Sequence, residues 1–505
     1  MTMPASIKTR LASRKRDRRR KNDRGVALVV ALLLAVALSA IGASLLMLSN
    51  TETYASMNYR MMSQARYGAE AGVLRAVNYL TQTYVAPGGA GDPLTNYNMN
   101  VSPVTYNGNP VILSADPNQA SNYPYAAAQT AFNAAVTGSL TAGQTVTYNA
   151  YATLLSMRTI QEYGAAAPKV IQTWQLVGTG SIGGTRPATV EVRSVLERQV
   201  TSAHSFGVFA TAAGCGALTF SGGSTSDSYD SSNMTMVGGV PQVQLSGGAV
   251  GSNGNLDVNG GQTQIYGSLS TPRTGVGHCK NGAVTALTGG AATVSEGLIQ
   301  LPQAIQYPTP APPSPLPPTS SVSWATSTCA DLGLSGTTCT GAAGSLTLNP
   351  LGGTLAFGNV NLNAGATIHL KAGTYNLNNI TVNGNAQIII DTGPVFFNVA
   401  GVGTNQPISL AGNSISNPSF DPTNFQILYG GTSDVTVSGG TNSAVMVYAP
   451  NAPVSLTGGS HIYGSVVGNT VVESGGTHFH YDRRLQNDFL VGGAFMMSSF
   501  TWKKY

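Results

Sequence analysis

The chain has 505 residues, more than one domain usually holds, so two or three folded units are expected. Only 9% of the residues are charged and 61 are glycine, which is unlike an average soluble enzyme and typical of short strands joined by tight turns. Residues 1–24 carry a net charge of +8, which leaves −3 for the rest of a chain whose total is +5. The basic block at 14–21 lacks interleaved aromatic residues and leads into an apolar segment, which argues against a nucleic-acid partner.

The apolar segment, residues 26–48, has no charged residue and exceeds the roughly 20 residues that cross a bilayer. The basic residues before it place 1–24 in the cytoplasm and send the bulk of the chain across the membrane. A secretory signal peptide would have a shorter apolar region, so the run predicts a single-pass anchor. Apolar residues at helical spacing extend the predicted helix to 26–84. They are Met57, Met61, Tyr67, Ala71, Leu74, Val77 and Leu80.

Two short motifs lie in this helix, RGVALVV at 24–30 and RYGAEAGV at 66–73. With the apolar run between them, residues 20–84 resemble the N-terminal region of PilX-type minor pilins of type IV pilus systems. The resemblance implies a basic prepilin-type leader, 1–25, that a membrane prepilin peptidase cuts after Gly25, leaving Val26 as an N-methylated terminus. It also implies that other pilins and the pilus assembly machinery are partners, with the anchor in the inner membrane and the body in the periplasm or on the cell surface.

Pilins of this kind often carry Glu at the fifth mature position, where it neutralises the terminal amine of a neighbouring subunit. Here that position is Val30. A subunit without this carboxylate cannot make that ion pair, which suits one that starts a filament or lies at its tip.

The middle of the chain, residues 85–200, predicts a pilin-like α+β module. Pro87 and the two glycines after it end the long helix, and a short helix is expected near 126–136. Alternating residues over 145–160, 170–182 and 188–200 predict an antiparallel meander.

The later chain repeats itself with a period of 20 residues. Gly353, Gly373 and Gly393 recur at this step, as do the apolar-x-apolar triplets 368–370, 388–390 and 408–410. Three short strands per 20 residues predict an all-β, right-handed, three-sided β-helix.

A second pattern, apolar-x-apolar-[Ser/Thr/Asn]-Gly-Gly, occurs in two stretches, 201–300 and 340–485, and predicts one kind of coil in both. Whether the two stretches stack as one helix is left open. Between them, 301–339 is a predicted linker whose first part, 301–319, holds eight prolines and is expected to be an extended spacer. Residues 486–505 are expected to form a C-terminal tail.

The four cysteines show no metal-binding spacing and are expected to form disulfides. Cys329 and Cys339 would close a short loop, and Cys215 and Cys279 remain. This pairing is one of three that four cysteines allow.

Near the end of the second stretch, His478, His480 and Asp482 alternate, so on a strand they share one face and could bind a metal or polarise a water. Such residues more often close the last coil through hydrogen bonds, and no further ligand is in view. The sequence therefore predicts no metal, no other cofactor and no catalytic residue.

Together these features predict a non-enzymatic, minor pilin-like subunit of a type IV pilus or related secretion filament. Its β-solenoid would serve adhesion to a surface or glycan ligand, or filament initiation at the tip. One alternative is a membrane-tethered β-helix enzyme acting on polysaccharide, which needs two carboxylates about 5–10 Å apart across a groove. Asp391, Asp434 and Lys371 stand apart in the repeat, which disfavours it. A membrane-anchored polymerising scaffold is a third possibility.

Overall fold

The computed structural model describes residues 8–142, 144–184, 187–260, 262–289, 293–459 and 461–504. A long helix α1 spans Lys8–Gln82 and a short helix α2 spans Ala126–Val136. Single 3-10 turns lie at Leu94–Asn96, Gly336–Thr338, Pro422–Asn424 and Arg483–Asn487. The predicted helix 26–84 is therefore part of a longer one that runs unbroken through Gly25. Of the predicted leader, residues 1–7 lie outside the described residues.

An antiparallel sheet follows α1. The first seven strands are β1 (Thr105–Tyr106), β2 (Asn109–Pro110), β3 (Ile112–Ser114), β4 (Gly138–Ala142), β5 (Gln144–Ile160), β6 (Lys169–Ile182) and β7 (Ala188–Ser202). β3, β5, β6 and β7 lie side by side, and β4 adds to β5 as a hairpin. Alternate residues of these strands point to α1 and are buried, because a sheet covered on one face places every second side chain in the core.

α1 meets this sheet through small residues. Ala65, Ala69 and Ala76 are fully buried, whereas Tyr67 and Leu74, two of the apolar residues that extended the predicted helix, are 65% and 51% exposed. The reason is the close approach of α1 to β6, where a Cβ on Gly178 or Gly180 would collide with the helix backbone. Small side chains therefore fill the closest part of this contact, with Val73 fully buried beside them.

The C-terminal residues return to this sheet. Strands β36 (Leu490–Met497) and β37 (Thr501–Lys504) both pair antiparallel with β7. The predicted tail is thus wrong for 490–504, and everything between β7 and β36 is an insertion in the sheet. Residues 490–504 form strands because they pair with β7, about 300 residues earlier in the chain. A local sequence pattern does not reveal so distant a partner.

The inserted body consists of short strands. Its first stretch holds β8 (Val208–Ala210), β9 (Leu218–Ser221), β10 (Thr225–Tyr229), β11 (Met236–Val237), β12 (Val240–Pro241), β13 (Val250–Ser252), β14 (Leu256–Asn259), β15 (Gln264–Ile265), β16 (Leu269–Thr271), β17 (Leu287–Thr288) and β18 (Leu298–Gln300). Its second stretch holds β19 (Ser321–Ser323), β20 (Cys339–Ala342), β21 (Ser345–Leu348), β22 (Thr354–Leu362), β23 (Thr367–Leu370), β24 (Gly373–Val382), β25 (Gln387–Ile390), β26 (Val395–Val399), β27 (Ile408–Leu410), β28 (Ile415–Ser416), β29 (Phe425–Tyr429), β30 (Val435–Ser438), β31 (Ala444–Ala449), β32 (Val454–Thr457), β33 (His461–Gly468), β34 (Val471–Glu473) and β35 (His478–Asp482).

Nearly all these strands pair in parallel with the strand one coil away. The predicted 20-residue step is present where β22 pairs with β24, Thr354 opposite Thr374, and where β23 pairs with β25. After β24 and β25 the step is longer than 20 residues, because the connecting loops are longer. Ile408 lies opposite Ile380 rather than in the row of Ile388, as the sequence repeat implied, and Ile388 lies opposite Ile415.

The two stretches form one continuous stack. Its seam, where the last coil of the second stretch meets the first coil of the first, pairs β33 with β8, β34 with β9 and β35 with β10, all in parallel. A row of buried aliphatic residues crosses the seam without interruption: Val360, Ile380, Ile408, Val435, Val454, Val471, Leu218, Leu256 and Leu287. The sequence left open whether the two stretches stack on each other, and strand pairing across the seam shows that they do.

The strands of the body lie in a large parallel sheet and a separate five-stranded sheet, β20-β21-β23-β25-β28. Strand pairing does not close these two sheets on each other within the described residues. Strand pairing by itself therefore does not establish the predicted three-sided β-helix.

The proline-rich segment 301–319 is extended, but it lies against the stack instead of spacing its halves apart. The Tyr448 hydroxyl on β31 donates to the Pro308 carbonyl, the Asn376 amide on β24 to Pro315, and the Asn359 amide on β22 to Thr319. The segment thus runs from the end of β18, past the seam, to the far end of the stack, from which the second stretch coils back.

Disulfide bonds join Cys215 to Cys279 and Cys329 to Cys339. Both lie in loops of the inserted body. The first links positions 64 residues apart and the second positions 10 apart.

Replacing Cys215 and Cys279 by alanine is expected to lower the free energy of unfolding by about 4 kcal/mol, and replacing Cys329 and Cys339 by about 3 kcal/mol, because the longer loop restricts the unfolded chain more. Urea unfolding of the two double variants under oxidising conditions measures both losses. The reduced wild type serves as the control and should match the variant that lacks all four cysteines. A larger loss from the shorter loop would contradict the chain-entropy explanation.

Candidate functional sites on the exposed helix and at the seam

The N-terminal part of α1 is an exposed apolar surface. Gly25–Gln82 is the only described helix long and apolar enough to cross a membrane, with a mean hydropathy of 2.8 in its most apolar window, and none of that window is buried by the rest of the chain. The hydroxyls of Ser39 and Ser44 donate to the carbonyls of Ala35 and Ala40 one turn earlier. The polar groups within the apolar run are thus satisfied inside the helix, as a lipid environment requires.

The predicted processing residues lie at the start of this surface. Val26 is 65% exposed and Val30 49% exposed, and a Cβ on Gly25 would have nothing within 4 Å. The junction is therefore accessible on all sides. Further along, Glu70 forms an i,i+4 ion pair with Arg66 at 2.8 Å, as expected for a solvated helix carboxylate.

A second candidate site is a histidine cluster on the outer face of the seam. His480 Nδ1 donates to the Asp227 carboxylate across the seam at 2.5 Å, and both side chains are nearly fully buried. His461 Nδ1 lies 2.7 Å from His480 Nε2, so with neutral rings His461 donates and the chain of hydrogen bonds runs from buried Asp227 to the surface. His478 Nδ1 contacts the Thr225 hydroxyl at 2.7 Å. Burial, and then the neighbouring histidines, lower the pKa of His461.

Asp482 does not join this cluster. Its Oδ1 accepts from the backbone N–H groups of Ser231 and Arg484, which begins the 3-10 turn Arg483–Asn487, and burial raises its pKa. The predicted trio of His478, His480 and Asp482 is therefore split. Within the part of the chain that is described, no group of three or more His, Cys, Asp or Glu residues is arranged to hold a metal ion.

Sequence reasoning missed Asp227 and His461, the two partners of His480. Asp227 is 253 residues from His480 in the chain, and only the pairing of β10 with β35 brings them together. The return of the string IYGS at 265–268 and 462–465 was a signal that the two stretches share a coil type, but it did not show that they touch.

The seam gathers further buried ionisable groups. Glu473, on β34, is fully buried, and neither carboxylate oxygen has a hydrogen-bond partner among the described residues. Burial raises its pKa well above the ordinary value. His204, also fully buried, bonds Ser465 through Nδ1, and burial lowers its pKa to about 3.

A junction of aromatic side chains fastens the N-terminal sheet to the stack near His204. The Tyr163 hydroxyl donates to the Gln426 side chain, and the Tyr163 ring packs edge-on against Tyr448 and Phe489. The Tyr481 hydroxyl donates to the His204 carbonyl. These contacts tie the two parts together through both hydrogen bonds and apolar burial.

Comparison with known proteins gives a family match and a structural match. Residues 356–488, about a quarter of the chain, match the model of a domain of unknown function, DUF7305. Among solved structures, the chain is similar to the competence-associated pilin ComZ from Thermus thermophilus, with 15% identity, a TM-score of 0.21, and coverage of 88% of this chain and 98% of that chain. A TM-score this low does not establish a shared fold. No curated protein matches the chain.

The general architecture of the protein is therefore described from its own structure. It has a long N-terminal helix that is apolar and exposed over residues 26–48, and a mostly β body behind it.

Proposed function

We propose that the chain is a minor pilin-like, membrane-anchored structural subunit of a type IV pilus or related secretion filament. In this proposal α1 is held in the inner membrane, the body lies outside the cytoplasm, and the partners are other pilins, the pilus assembly machinery and the prepilin peptidase. Nucleic acid and cofactors have no part in it.

One observation carries the proposal. A single helix, α1, is apolar and exposed over residues 26–48 and is packed through Ala65, Ala69 and Ala76 on an antiparallel sheet further along. A helix of this kind presents one half to lipid or to neighbouring subunits and uses the other half to hold a folded domain. Since Val30 offers no carboxylate to a neighbour's amine, the subunit suits the start or tip of a filament better than its repeating shaft.

The body is proposed to be a right-handed, three-sided β-helix that is displayed for adhesion. In-register parallel pairing from coil to coil and the continuous buried aliphatic row support a solenoid. The disulfides and the strapped proline-rich segment suit a domain that works outside the cytoplasm.

The chain is further proposed not to be an enzyme. Three carboxylates of the body are each paired with a basic side chain: Asp391 with His369, Asp421 with Arg484, and Asp227 with His480. This arrangement disfavours the paired carboxylates of a glycan-cleaving enzyme.

Analysis of the mature N-terminus tests the pilus assignment. In cells with an active prepilin peptidase the chain is expected to begin at N-methylated Val26, and in cells without the peptidase it should keep its leader. Gly25→Leu should also keep the leader, whereas Gly42→Leu, a change at another open position of the apolar run, should leave processing intact. A leader retained in the wild type with the peptidase present would remove the assignment.

A further inference from the structure

A small polar cavity of about 230 Å³ lies where the chain leaves the stack at the seam. β10 ends at Tyr229, and the excursion that follows includes the hairpin β11–β12 before the chain re-enters the stack at β13. The opposite wall is Arg483, which follows the last coil of the second stretch. The cavity is therefore assembled only when both stretches are stacked.

Several polar side chains around this cavity make no hydrogen bond within the described part of the chain. The guanidinium of Arg483 makes no hydrogen bond and no ion pair with any described residue, and its Nε is buried without a partner. The side chains of Asn233, Thr235, Gln242 and Gln244 also line the cavity and make no hydrogen bond within the described part of the chain.

Asp230 lies on the same rim and supplies the opposite charge. Its carboxylate accepts from the backbone and hydroxyl of Ser232, and these bonds, together with the nearby Arg483, lower its pKa, so it is ionised at neutral pH. The cavity thus presents a cationic donor and an anionic acceptor that do not neutralise each other by direct contact. The amide side chains of Asn233, Gln242 and Gln244, which both donate and accept, line the same cavity.

We propose that this cavity binds one neutral sugar ring of a surface glycan. Sugar hydroxyls both donate and accept, so neighbouring hydroxyls can accept from Arg483 and donate to Asp230 at the same time, and the amide side chains complete the pattern. Met234, Pro241 and Val243 also line the cavity, whose surface is mostly polar. The volume is below the roughly 300–1,000 Å³ of sites for larger ligands, which favours a single ring. An acidic sugar is disfavoured because Asp230 would repel its carboxylate.

This inference deepens the display role proposed above, but the cavity lies entirely in the body. Retention of the leader would overturn the pilus assignment and leave sugar binding unaffected. Loss of sugar binding would overturn this inference and leave N-terminal processing unaffected.

Saturation-transfer NMR on the full chain, held in a detergent without a sugar headgroup, tests the proposal. The probes are mannose, galactose and N-acetylglucosamine, with galacturonate as the acidic counterpart of galactose and inorganic phosphate as a free anion. At least one neutral sugar is expected to bind in the millimolar range or tighter. No binding of any neutral probe, or tighter binding of galacturonate or phosphate, would overturn the proposal.

Variants then locate the site. Arg483→Met and Asp230→Asn are each expected to weaken binding of the same sugar about 10-fold or more, since each removes a charge-assisted hydrogen bond. Arg484→Met is the matched control: it removes the same charge one residue away, where the guanidinium pairs with Asp421 instead of lining the cavity. Equal losses for Arg483→Met and Arg484→Met would overturn the assignment. The exposed pair Gln242→Ala and Gln244→Ala, which leaves the coils untouched, should also weaken binding, and unchanged affinity in it would likewise count against the site.

Discussion

Replacing Glu473 by leucine is expected to raise the free energy of unfolding at neutral pH by about 1–3 kcal/mol, because it removes a buried carboxylate that has no hydrogen-bond partner. Glu473 interrupts an inward-facing row of the stack that is otherwise apolar: Leu362, Val382, Leu410, Val437, Leu456, Phe220 and Val258. Leu456 and Phe220 are its direct neighbours on either side. A leucine therefore continues the apolar row and packs between these two neighbours.

The same residue should make stability depend on pH. Burial raises the pKa of Glu473 in the folded chain well above its ordinary value of 4.5. Below that ordinary value both folded and unfolded chains hold the proton, and the stability is fully present. As the pH rises, the unfolded chain loses its proton first, so stability falls until the pH passes the raised pKa. The wild type should thus lose stability between about pH 4.5 and neutral pH through this group.

Urea unfolding at pH 4.5 and pH 7.5 of the wild type, Glu473→Leu and Glu473→Gln measures this effect. Both variants should show a smaller difference between the two pH values than the wild type. The control is Glu197→Gln, which changes an exposed glutamate of β7 and should leave the pH dependence as it is. If both Glu473 variants are less stable than the wild type at both pH values, the carboxylate stabilises the folded chain, and the prediction fails.

Replacing Gly180 by alanine is expected to lower the free energy of unfolding by about 1–3 kcal/mol, because the added methyl group has no room. A Cβ at this position would lie 2.6 Å from the amide nitrogen of Ala69 and closer still to the carbonyl oxygen of Ala65. Both are backbone atoms of α1, so the helix as a whole would have to move away from β6. Such a shift would loosen the contact that joins the anchor to the body.

Gly183→Ala is the matched control, since a Cβ there meets nothing within 4 Å. Thermal unfolding of the full chain compares the two, and limited proteolysis of the α1 segment reports on helix docking. Gly180→Ala should lower the unfolding temperature and expose α1 to cleavage, whereas Gly183→Ala should change neither. Equal stability of the two variants would show that α1 does not approach β6 as closely as the structure has it.

Much of the long-range order of this protein was not predictable from local patterns. The sequence predicted the helix of α1 from apolar residues that include Tyr67 and Leu74, but these two side chains are exposed. Helical spacing does not show which face the sheet covers, and the glycines of β6 let the small residues of α1 approach most closely. The strands β36 and β37 were expected to be a tail because their partner, β7, is distant in the chain.

The candidate sites divide in the same way. His478 and His480 were found from their spacing, but their partners Thr225 and Asp227 come from the other side of the seam. The cavity beside Arg483 was not predicted at all, because its two walls belong to stretches about 250 residues apart.

The sequence by itself determined the features that depend on neighbouring residues. These are the apolar helix, the alternating strands of 145–200 and the repeating apolar-x-apolar strands of the body. The spacing of apolar residues along the sequence shows the period of a helix or of a strand directly. The tertiary structure alone decided that the two stretches stack head to tail, that the proline-rich segment returns along the outside, and that the C-terminus closes the first sheet. The physical reason is that the stack buries one continuous aliphatic row, and the gain from burying it does not depend on the order in which the chain supplies the coils.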